Sequence, residues 1–185
     1  ARGNGMSDWA VGEISLDAWV SDLEAVVDAA GIERFPLLGI SQGCAVSVAF
    51  AVQHPQRVSH LILYGGYTRG GRKRTQLERE QRDAMTKLAR LGWGGVNPAF
   101  RQLFTSNFMP DATPEEAESF NELQRKTTSA DCAARYFEAT GNFDISDLVG
   151  HVSAPTLVMH ARGDLMVPLE AGRELASGIP GARFV

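Results

Sequence analysis

The segment FPLLGISQGCAVSVAFAVQHP, Phe35 to Pro55, places a serine between two glycines, after one apolar run and before another. The run FPLLGI has the composition of a buried parallel strand. The run QGCAVSVAFAVQHP is typical of a helix that ends before a proline. Gly39-Ile-Ser41-Gln-Gly43 is therefore either a turn without chemistry or a sharp turn that holds a nucleophile.

The predicted strand before Ser41 and the predicted helix after it favour the nucleophile interpretation. Such a turn would hold Ser41 in a strained backbone region, with φ about +60° for a non-glycine residue. Flanking glycines have no side chain that would clash in the turn. The start of the following helix offers a positive field and free N–H groups. The Gln42 N–H is thus predicted to donate to a developing oxyanion.

The rest of the chain predicts a parallel sheet with helices on its faces. A helix capped by Ser15 and ended by Gly31 precedes the segment. Further buried strands are predicted at VSHLILYGG and PTLVMHA, a helix at PLEAGRELASG, and the start of a fourth strand at ARFV. Alternation of strand and helix is typical of the α/β class.

Between Gly66 and Ala154 the pattern changes, because no convincing strand occurs over nearly ninety residues. Four helices are predicted there, at roughly Arg74–Leu91, Pro98–Phe108, Pro114–Lys126 and Ala130–Ala139. Thr113 to Glu116 has the pattern of a capping box with proline at the first helical position. A structureless loop of this length is implausible, so a helical insertion on the sheet is expected.

The composition is that of one globular domain, with 185 residues, 44% of them apolar and 22% charged. The net charge of −4 provides no basic surplus, so neither nucleic acid nor a membrane is expected as a partner. The two cysteines, Cys44 and Cys132, lie far apart without metal-ligand spacing. They are typical of reduced thiols, and a cytoplasmic protein is predicted.

Three stretches together resemble the α/β-hydrolase family. ARGNGMSDW resembles the segment after the family's fourth strand, and LLGISQGCAVSVAFAVQHPQRVSHLILYGG resembles its fifth strand, nucleophile turn, helix and sixth strand. APTLVMHARGDLMVPLEAGRELASGIPGARFV resembles its seventh strand, acid loop and following helix. These stretches are similar in sequence to small bacterial hydrolases that can be joined to transcription-regulator or adenylate-cyclase modules.

The resemblance implies a partial α/β-hydrolase fold, with a parallel sheet flanked by helices and a helical cap between the sixth and seventh family strands. It implies that residues 1–66 form the first part of the hydrolase core, 67–153 the cap and 154–185 the second part of the core. It also implies that the protein extends beyond both ends of this sequence.

The same resemblance puts Asp164, in GDLMVP, at the family's acid position. An acid just beyond the carboxyl end of a strand lies on the same sheet edge as the serine turn. There it would orient an imidazole and stabilise its cationic form. The alternative is a solvated turn aspartate in Arg-Gly-Asp.

The base is the missing partner, because the family's chain order is Ser, then Asp, then His. All four histidines precede Asp164, and each is expected to be structural: His54, His60, His151 and His160. The base and a second oxyanion donor are expected outside this sequence. Residues 1–185 alone are accordingly expected to have little esterase activity.

The predicted activity is hydrolysis of a carboxylic ester or lactone through an acyl-enzyme. Ser41 is the predicted nucleophile, the Gln42 N–H the oxyanion donor and Asp164 the orienting acid. No metal or organic cofactor is expected, and the expected partner is a small substrate with an apolar part. The alternative is a non-catalytic sensing or interaction module of the same fold in a signalling protein.

Weaker candidates have two interpretations each. The basic run TRGGRKR is either a solvated hinge or an attractant for an anionic substrate. A stripe of phenylalanines is either core or, with other aromatic residues and a methionine, an apolar underside of the insertion. The residues concerned are Trp93, Phe100, Phe104, Phe108, Met109, Phe120, Tyr136 and Phe137.

Two further expectations concern packing. Cys44 is expected to be a small packing residue on the helix and not a thiol nucleophile. The strand FPLLGI is expected to lack a neighbour on one side, and an uncovered apolar strand edge predicts self-association.

Overall fold

The computed structural model describes residues 1–185, which form one four-stranded parallel sheet and eight α-helices. The strands are β1 (Phe35–Ile40), β2 (Val58–Tyr64), β3 (Thr156–Met159) and β4 (Arg183–Phe184). They lie in the order β1-β2-β3-β4, and every neighbouring pair is parallel. The predicted α/β class, with a parallel sheet flanked by helices, is confirmed.

Seven of the eight helices follow the sequence pattern closely, and a short helix before β3 was not predicted. In chain order they are α1 (Leu16–Ala29), α2 (Gly43–Gln53), α3 (Gln76–Gly92), α4 (Ala99–Phe108), α5 (Pro114–Thr127), α6 (Ala130–Gly141), α7 (Ser146–Val149) and α8 (Leu169–Gly178). Ser15 Oγ accepts the Ala18 N–H at 3.1 Å, and Gly31 follows α1 with φ 64°. Both predicted ends of α1 are therefore confirmed. No helix combines the length and the apolarity that crossing a bilayer requires.

One face of the sheet carries the main core. Leu61, Leu63 and Val158 are fully buried there, in one apolar cluster with residues of α2 and α8. Alternate residues of β1 point to the other face, where Leu38 and Ile40 are 56% and 57% exposed. β1 also pairs only with β2, so one edge of this strand has no neighbour.

The segment between β2 and β3 contains α3 to α6 and a short 3-10 helix, Gly71–Lys73. The capping box predicted at Thr113 and Glu116 is confirmed, with both reciprocal hydrogen bonds present. A second capping box, Thr75 with Glu78, begins α3 and was not predicted. The capping pattern is local in sequence, so both boxes could have been found before the structure was known.

Hydrogen bonds from buried side chains join the helices of this insertion. The fully buried Arg101 donates to the backbone carbonyls of Asn121, at 3.0 Å, and Gly95, at 2.8 Å. The insertion is also tied to the N-terminal segment. The Tyr136 hydroxyl donates to the Arg2 carbonyl at 2.6 Å, and the Thr128 hydroxyl donates to the Gly3 carbonyl at 2.7 Å.

Candidate active site

Ser41 lies in the turn between β1 and α2 with φ 54°, and no other non-glycine residue has a positive φ. The predicted strained backbone is confirmed. The Ser41 N–H donates to the Tyr64 carbonyl at the end of β2, at 2.8 Å, and its carbonyl accepts the Cys44 N–H at 3.0 Å. These two bonds hold the turn against the sheet on one side and the helix on the other. The hydroxyl makes no hydrogen bond within the protein and lines two cavities.

The two glycines that flank Ser41 have different roles. A Cβ on Gly39 would lie 2.7 Å from Ser47 Oγ and 2.8 Å from Cys44 Cα, so α2 can approach β1 only over a glycine. A Cβ on Gly43 would meet nothing within 4 Å. The expectation that both glycines avoid a clash in the turn is wrong for Gly43. Only Gly39 is required by a close approach.

The Gln42 N–H lies at the N-terminal end of α2, where backbone N–H groups have no helical acceptor. No carbonyl or side chain within the protein accepts a hydrogen bond from it. Gln42 lines the same cavity as Ser41. This placement leaves a donor free beside the hydroxyl, and the field of the helix terminus favours negative charge there.

Asp164 follows β3, which pairs with β2 as the sequence predicted. Its Oδ1 accepts the N–H groups of Met166, at 2.8 Å, and Val167, at 2.9 Å. Its Oδ2 makes neither bond and lies near Gly65, where a Cβ would be 3.6 Å away. Two backbone donors thus hold the carboxylate in one orientation and leave the second oxygen for another partner.

Ser41 and Asp164 line one cavity of about 390 Å³, together with residues of the loops after β2 and β3. This location agrees with the expectation that both residues lie at the carboxyl edge of the sheet with space between them. None of the four histidines lines this cavity.

His160 has a contact that the sequence did not reveal. Its ring is fully buried, and Nε2 lies 2.9 Å from the Val167 carbonyl and 3.7 Å from Asp164 Oδ2. The carbonyl can only accept, so Nε2 carries the proton and donates to it. Nδ1 has no partner. His160 therefore supports the loop that holds Asp164, but it does not bridge Asp164 and Ser41.

A second cavity of about 270 Å³ lies between Ser41 and the helical insertion. Seven of its nineteen lining residues are aromatic: Tyr67, Trp93, Phe104, Phe108, Phe120, Tyr136 and Phe137. The interpretation of these side chains as an apolar underside agrees with this lining. Phe100 and Met109 are exceptions, because neither lines the cavity.

A chain of polar side chains ends in the wall of this cavity. Thr105 Oγ1 donates to Asn121 Oδ1 at 2.6 Å and accepts from Gln124 Nε2 at 2.7 Å. Gln124 Oε1 is buried without a donor, and Gln124 lines the cavity. The hydrogen bond from Gln124 Nε2 fixes the amide orientation and leaves the buried Oε1 without a hydrogen-bond donor.

The basic run is mostly committed to ion pairs. Arg69 pairs with Glu174 at 3.0 Å and Arg72 with Asp83 at 2.8 Å, whereas Arg74 Nη1 lies 3.2 Å from Glu78 Oε1. These contacts favour the hinge interpretation over attraction of an anionic substrate.

Arg82 on α3 was not singled out by the sequence, yet it is the one charged side chain that lines the cavity between Ser41 and the insertion. The guanidinium carbon lies 5.4 Å from the centre of the Phe137 ring. Burial lowers the pKa of the Arg82 guanidinium, and the nearby Arg74 and Arg72 lower it further. No sequence signal marks this residue, because α3 carries charges of both signs along its whole length.

Cys44 lies directly behind the turn but is not exposed to either cavity. Its thiol donates to the Gly39 carbonyl, with Sγ 3.2 Å from the oxygen. Burial raises the pKa of the Cys44 thiol to about 12. A thiol that stays protonated is a poor nucleophile, so the structure supports the predicted packing role.

A family model described as alpha/beta hydrolase fold matches residues 1–185. The 2-hydroxy-6-oxononadienedioate/2-hydroxy-6-oxononatrienedioate hydrolase of Cupriavidus pinatubonensis is 32% identical over 170 residues, which cover 88% of this chain and 57% of that protein. The chain thus spans little more than half the length of this curated relative.

Solved structures of similar fold include a hydrolase from Pseudomonas aeruginosa, with a TM-score of 0.82 and 26% identity. The match covers 100% of this chain and 68% of that chain. A thermophilic esterase from Thermogutta terrifontis has a TM-score of 0.79 and 25% identity, over 100% of this chain and 67% of that chain.

Proposed function

Because the chain belongs to the alpha/beta hydrolase fold family, we propose that it supplies the nucleophile and the acid of a serine hydrolase that cleaves carboxylic esters or lactones. The observation that carries the proposal is the strained backbone of Ser41, with φ 54°, beside a Gln42 N–H that has no acceptor. Strain of this kind persists only where the surrounding structure enforces it, and it is concentrated at functional sites. The similarity to a solved esterase supports the choice of ester chemistry.

In the proposed reaction, Ser41 Oγ attacks the carbonyl carbon of the substrate while an imidazole takes the hydroxyl proton. The carbonyl electron pair moves to the oxygen, which accepts a hydrogen bond from the Gln42 N–H. Collapse of this intermediate expels the alcohol, which receives the proton, and leaves an acyl-Ser41 ester. Water then attacks that ester by the same steps and releases the acid.

Asp164 is the proposed partner of the imidazole. Its Oδ1 is already held by two backbone N–H groups, so Oδ2 can accept from the ring in a defined direction. The family's chain order puts the histidine after the acid, and residues 165–185 contain none. We therefore propose that protein outside these 185 residues places the imidazole in the cavity between Ser41 and Asp164.

The test is to express the complete open reading frame that encodes this sequence and to assay p-nitrophenyl butyrate and δ-valerolactone. Ser41→Ala should lower kcat by about 10⁴–10⁶-fold, and Asp164→Asn by about 10⁴-fold, because nucleophile, base and acid act as a unit. Ser47→Ala is the matched control, since Ser47 is buried on α2 and lines neither cavity that contains Ser41.

Intact-mass analysis after rapid mixing with the ester should show an acyl adduct on the wild-type protein and none on Ser41→Ala. Turnover that survives Ser41→Ala would exclude the proposed nucleophile. Saturable ligand binding without any adduct or turnover would instead indicate a sensing module of the same fold.

A further inference from the structure

The cavity between Ser41 and the helical insertion contains a single formal charge. Of its nineteen lining residues only Arg82 is charged, and none is acidic. Tyr67 and Tyr136, the two other ionisable lining residues, stay neutral because burial raises the pKa of both, that of Tyr67 to about 12. A ligand in this cavity therefore meets one fixed positive charge, in walls to which seven aromatic side chains contribute.

Arg82 also lacks the counter-ion that other arginines around it have. Arg72 pairs with Asp83, Arg74 with Glu78, and Arg90 on the same helix with Glu138 at 3.0 Å. No carboxylate pairs with Arg82, and its guanidinium donates no hydrogen bond within the protein. Glu78 lies one turn before it, but the Glu78 carboxylate is committed to Thr75 and Arg74.

The packing holds the Arg82 side chain in place. Gly141 lets α6 approach its stem so closely that a Cβ there would lie 2.9 Å from Arg82 Cγ. The Phe137 ring lies alongside the guanidinium, at 5.4 Å from centroid to carbon. The direction of the guanidinium is therefore set before any ligand binds, which reduces the entropy lost on binding.

An unpaired, partly desolvated charge is costly, and an aromatic face compensates only part of that cost. A guanidinium cannot lose its proton in a protein, so the cost persists until an anion arrives. A carboxylate is the group that matches the planar fork of N–H donors, with two parallel charge-assisted hydrogen bonds.

We propose that Arg82 binds a carboxylate of the substrate, so that the preferred substrate is an ester or lactone whose acyl part carries a second, anionic group. This inference rests on the proposed function, because the scissile carbonyl has to lie at Ser41 while the carboxylate reaches Arg82 in the same cavity. Arg82 is then a specificity residue, acting on binding and leaving bond cleavage to Ser41.

Two substrates with acyl chains of equal length separate the effect of the negative charge on activity from the effect of chain length. p-Nitrophenyl hemiglutarate ends in a carboxylate, and p-nitrophenyl valerate ends in a methyl group at the same position. In the protein from the complete open reading frame, kcat/KM should favour the hemiglutarate. Arg82→Gln should reduce that preference roughly 10–100-fold, which is the expected loss for a charge-assisted hydrogen-bonded pair. The loss should come from a higher KM for the hemiglutarate, with kcat unchanged.

Two further variants define the role of the side chain. Arg82→Lys keeps the charge but loses the fork, so it should retain part of the preference. Lys87→Gln removes a positive charge from an exposed position of the same helix, outside the cavity, and should leave the preference unchanged. An equal loss on both substrates in Arg82→Gln would show a structural role and overturn the proposal, as would a wild-type protein without preference for the anion.

A binding experiment on the protein from the complete open reading frame, the same protein that is assayed for turnover, keeps this inference separable from the proposed hydrolysis. Titration with glutarate, followed by the indole N–H signal of Trp93 in the cavity wall, should show saturable shifts that glutaramide does not produce. Arg82→Gln should abolish them, and Lys87→Gln should not. Glutarate binding without ester turnover would support the proposed role of Arg82 and contradict the proposed hydrolase activity. Ester turnover without a response to glutarate would support the hydrolase activity and contradict the role of Arg82.

Discussion

Replacing Gly39 by alanine tests whether the close approach of α2 to β1 holds the Ser41 turn in place. The new Cβ would lie 2.8 Å from Cys44 Cα and 2.8 Å from the Gly43 carbonyl oxygen. Both are backbone atoms, so no flexible side chain can move aside and the helix itself has to shift. Overpacking of this kind costs about 1–3 kcal/mol of unfolding free energy, and we expect Gly39→Ala to fall in that range.

Gly43→Ala is the matched control, four residues along the same turn. Its Cβ would enter open space, and Gly43 is the first residue of α2. Alanine at a compatible helical position stabilises by about 0.4–1 kcal/mol, because it restricts the unfolded chain more than glycine does. The two substitutions should therefore change stability in opposite directions.

The assay is urea unfolding of residues 1–185 in chains that all carry Leu38→Lys, a substitution on the exposed face of β1 that should weaken self-association. Unfolding is monitored by circular dichroism and by tryptophan fluorescence, with a thermal scan alongside. For a chain of this length, 1 kcal/mol corresponds to about 2–4 °C in Tm. Gly39→Ala should thus lower Tm by about 2–12 °C at an unchanged m value, and Gly43→Ala should raise it slightly. Wild-type stability in Gly39→Ala, or an equal loss in Gly43→Ala, would refute the packing argument.

Two further predictions concern the thiol and the isolated chain. Burial raises the Cys44 pKa from 9.0 to about 12, so the unfolded chain loses the thiol proton at a lower pH than the folded chain does. The contribution of the buried thiol to the unfolding free energy is therefore fully present below about pH 9 and is lost as the pH rises above it. Urea unfolding should show a loss of about 1 kcal/mol between pH 9 and pH 10 that is absent in Cys44→Ala, with Cys132→Ala as the control. Residues 1–185 alone should hydrolyse p-nitrophenyl butyrate poorly, since no histidine lines the cavity between Ser41 and Asp164. The same chain should self-associate through the unpaired edge and exposed face of β1. Light scattering should show oligomers that Leu38→Lys weakens, whereas a monomer with Ser41-dependent turnover would contradict both expectations.

The sequence by itself determined the features that depend on short stretches of chain. The turn at Ser41, the caps at Ser15 and Thr113 and the four strands were all predictable. In each case the signal is a residue type at a fixed spacing, or an apolar run of strand length, and the physical cause acts within a few residues. Asp164 could be placed after β3 for the same reason, with the family resemblance giving it a role.

Only the tertiary structure decided the features whose partners come from distant parts of the chain. Gly39 and Gly43 are equivalent in the motif, yet only Gly39 faces the backbone of α2. Arg82 is one of several charges on α3, and it is distinguished by carboxylates that pair with its neighbours and not with it. Whether a charge is paired, or a glycine crowded, depends on which surfaces the packed helices and strands bring together, and no local pattern of residues encodes that.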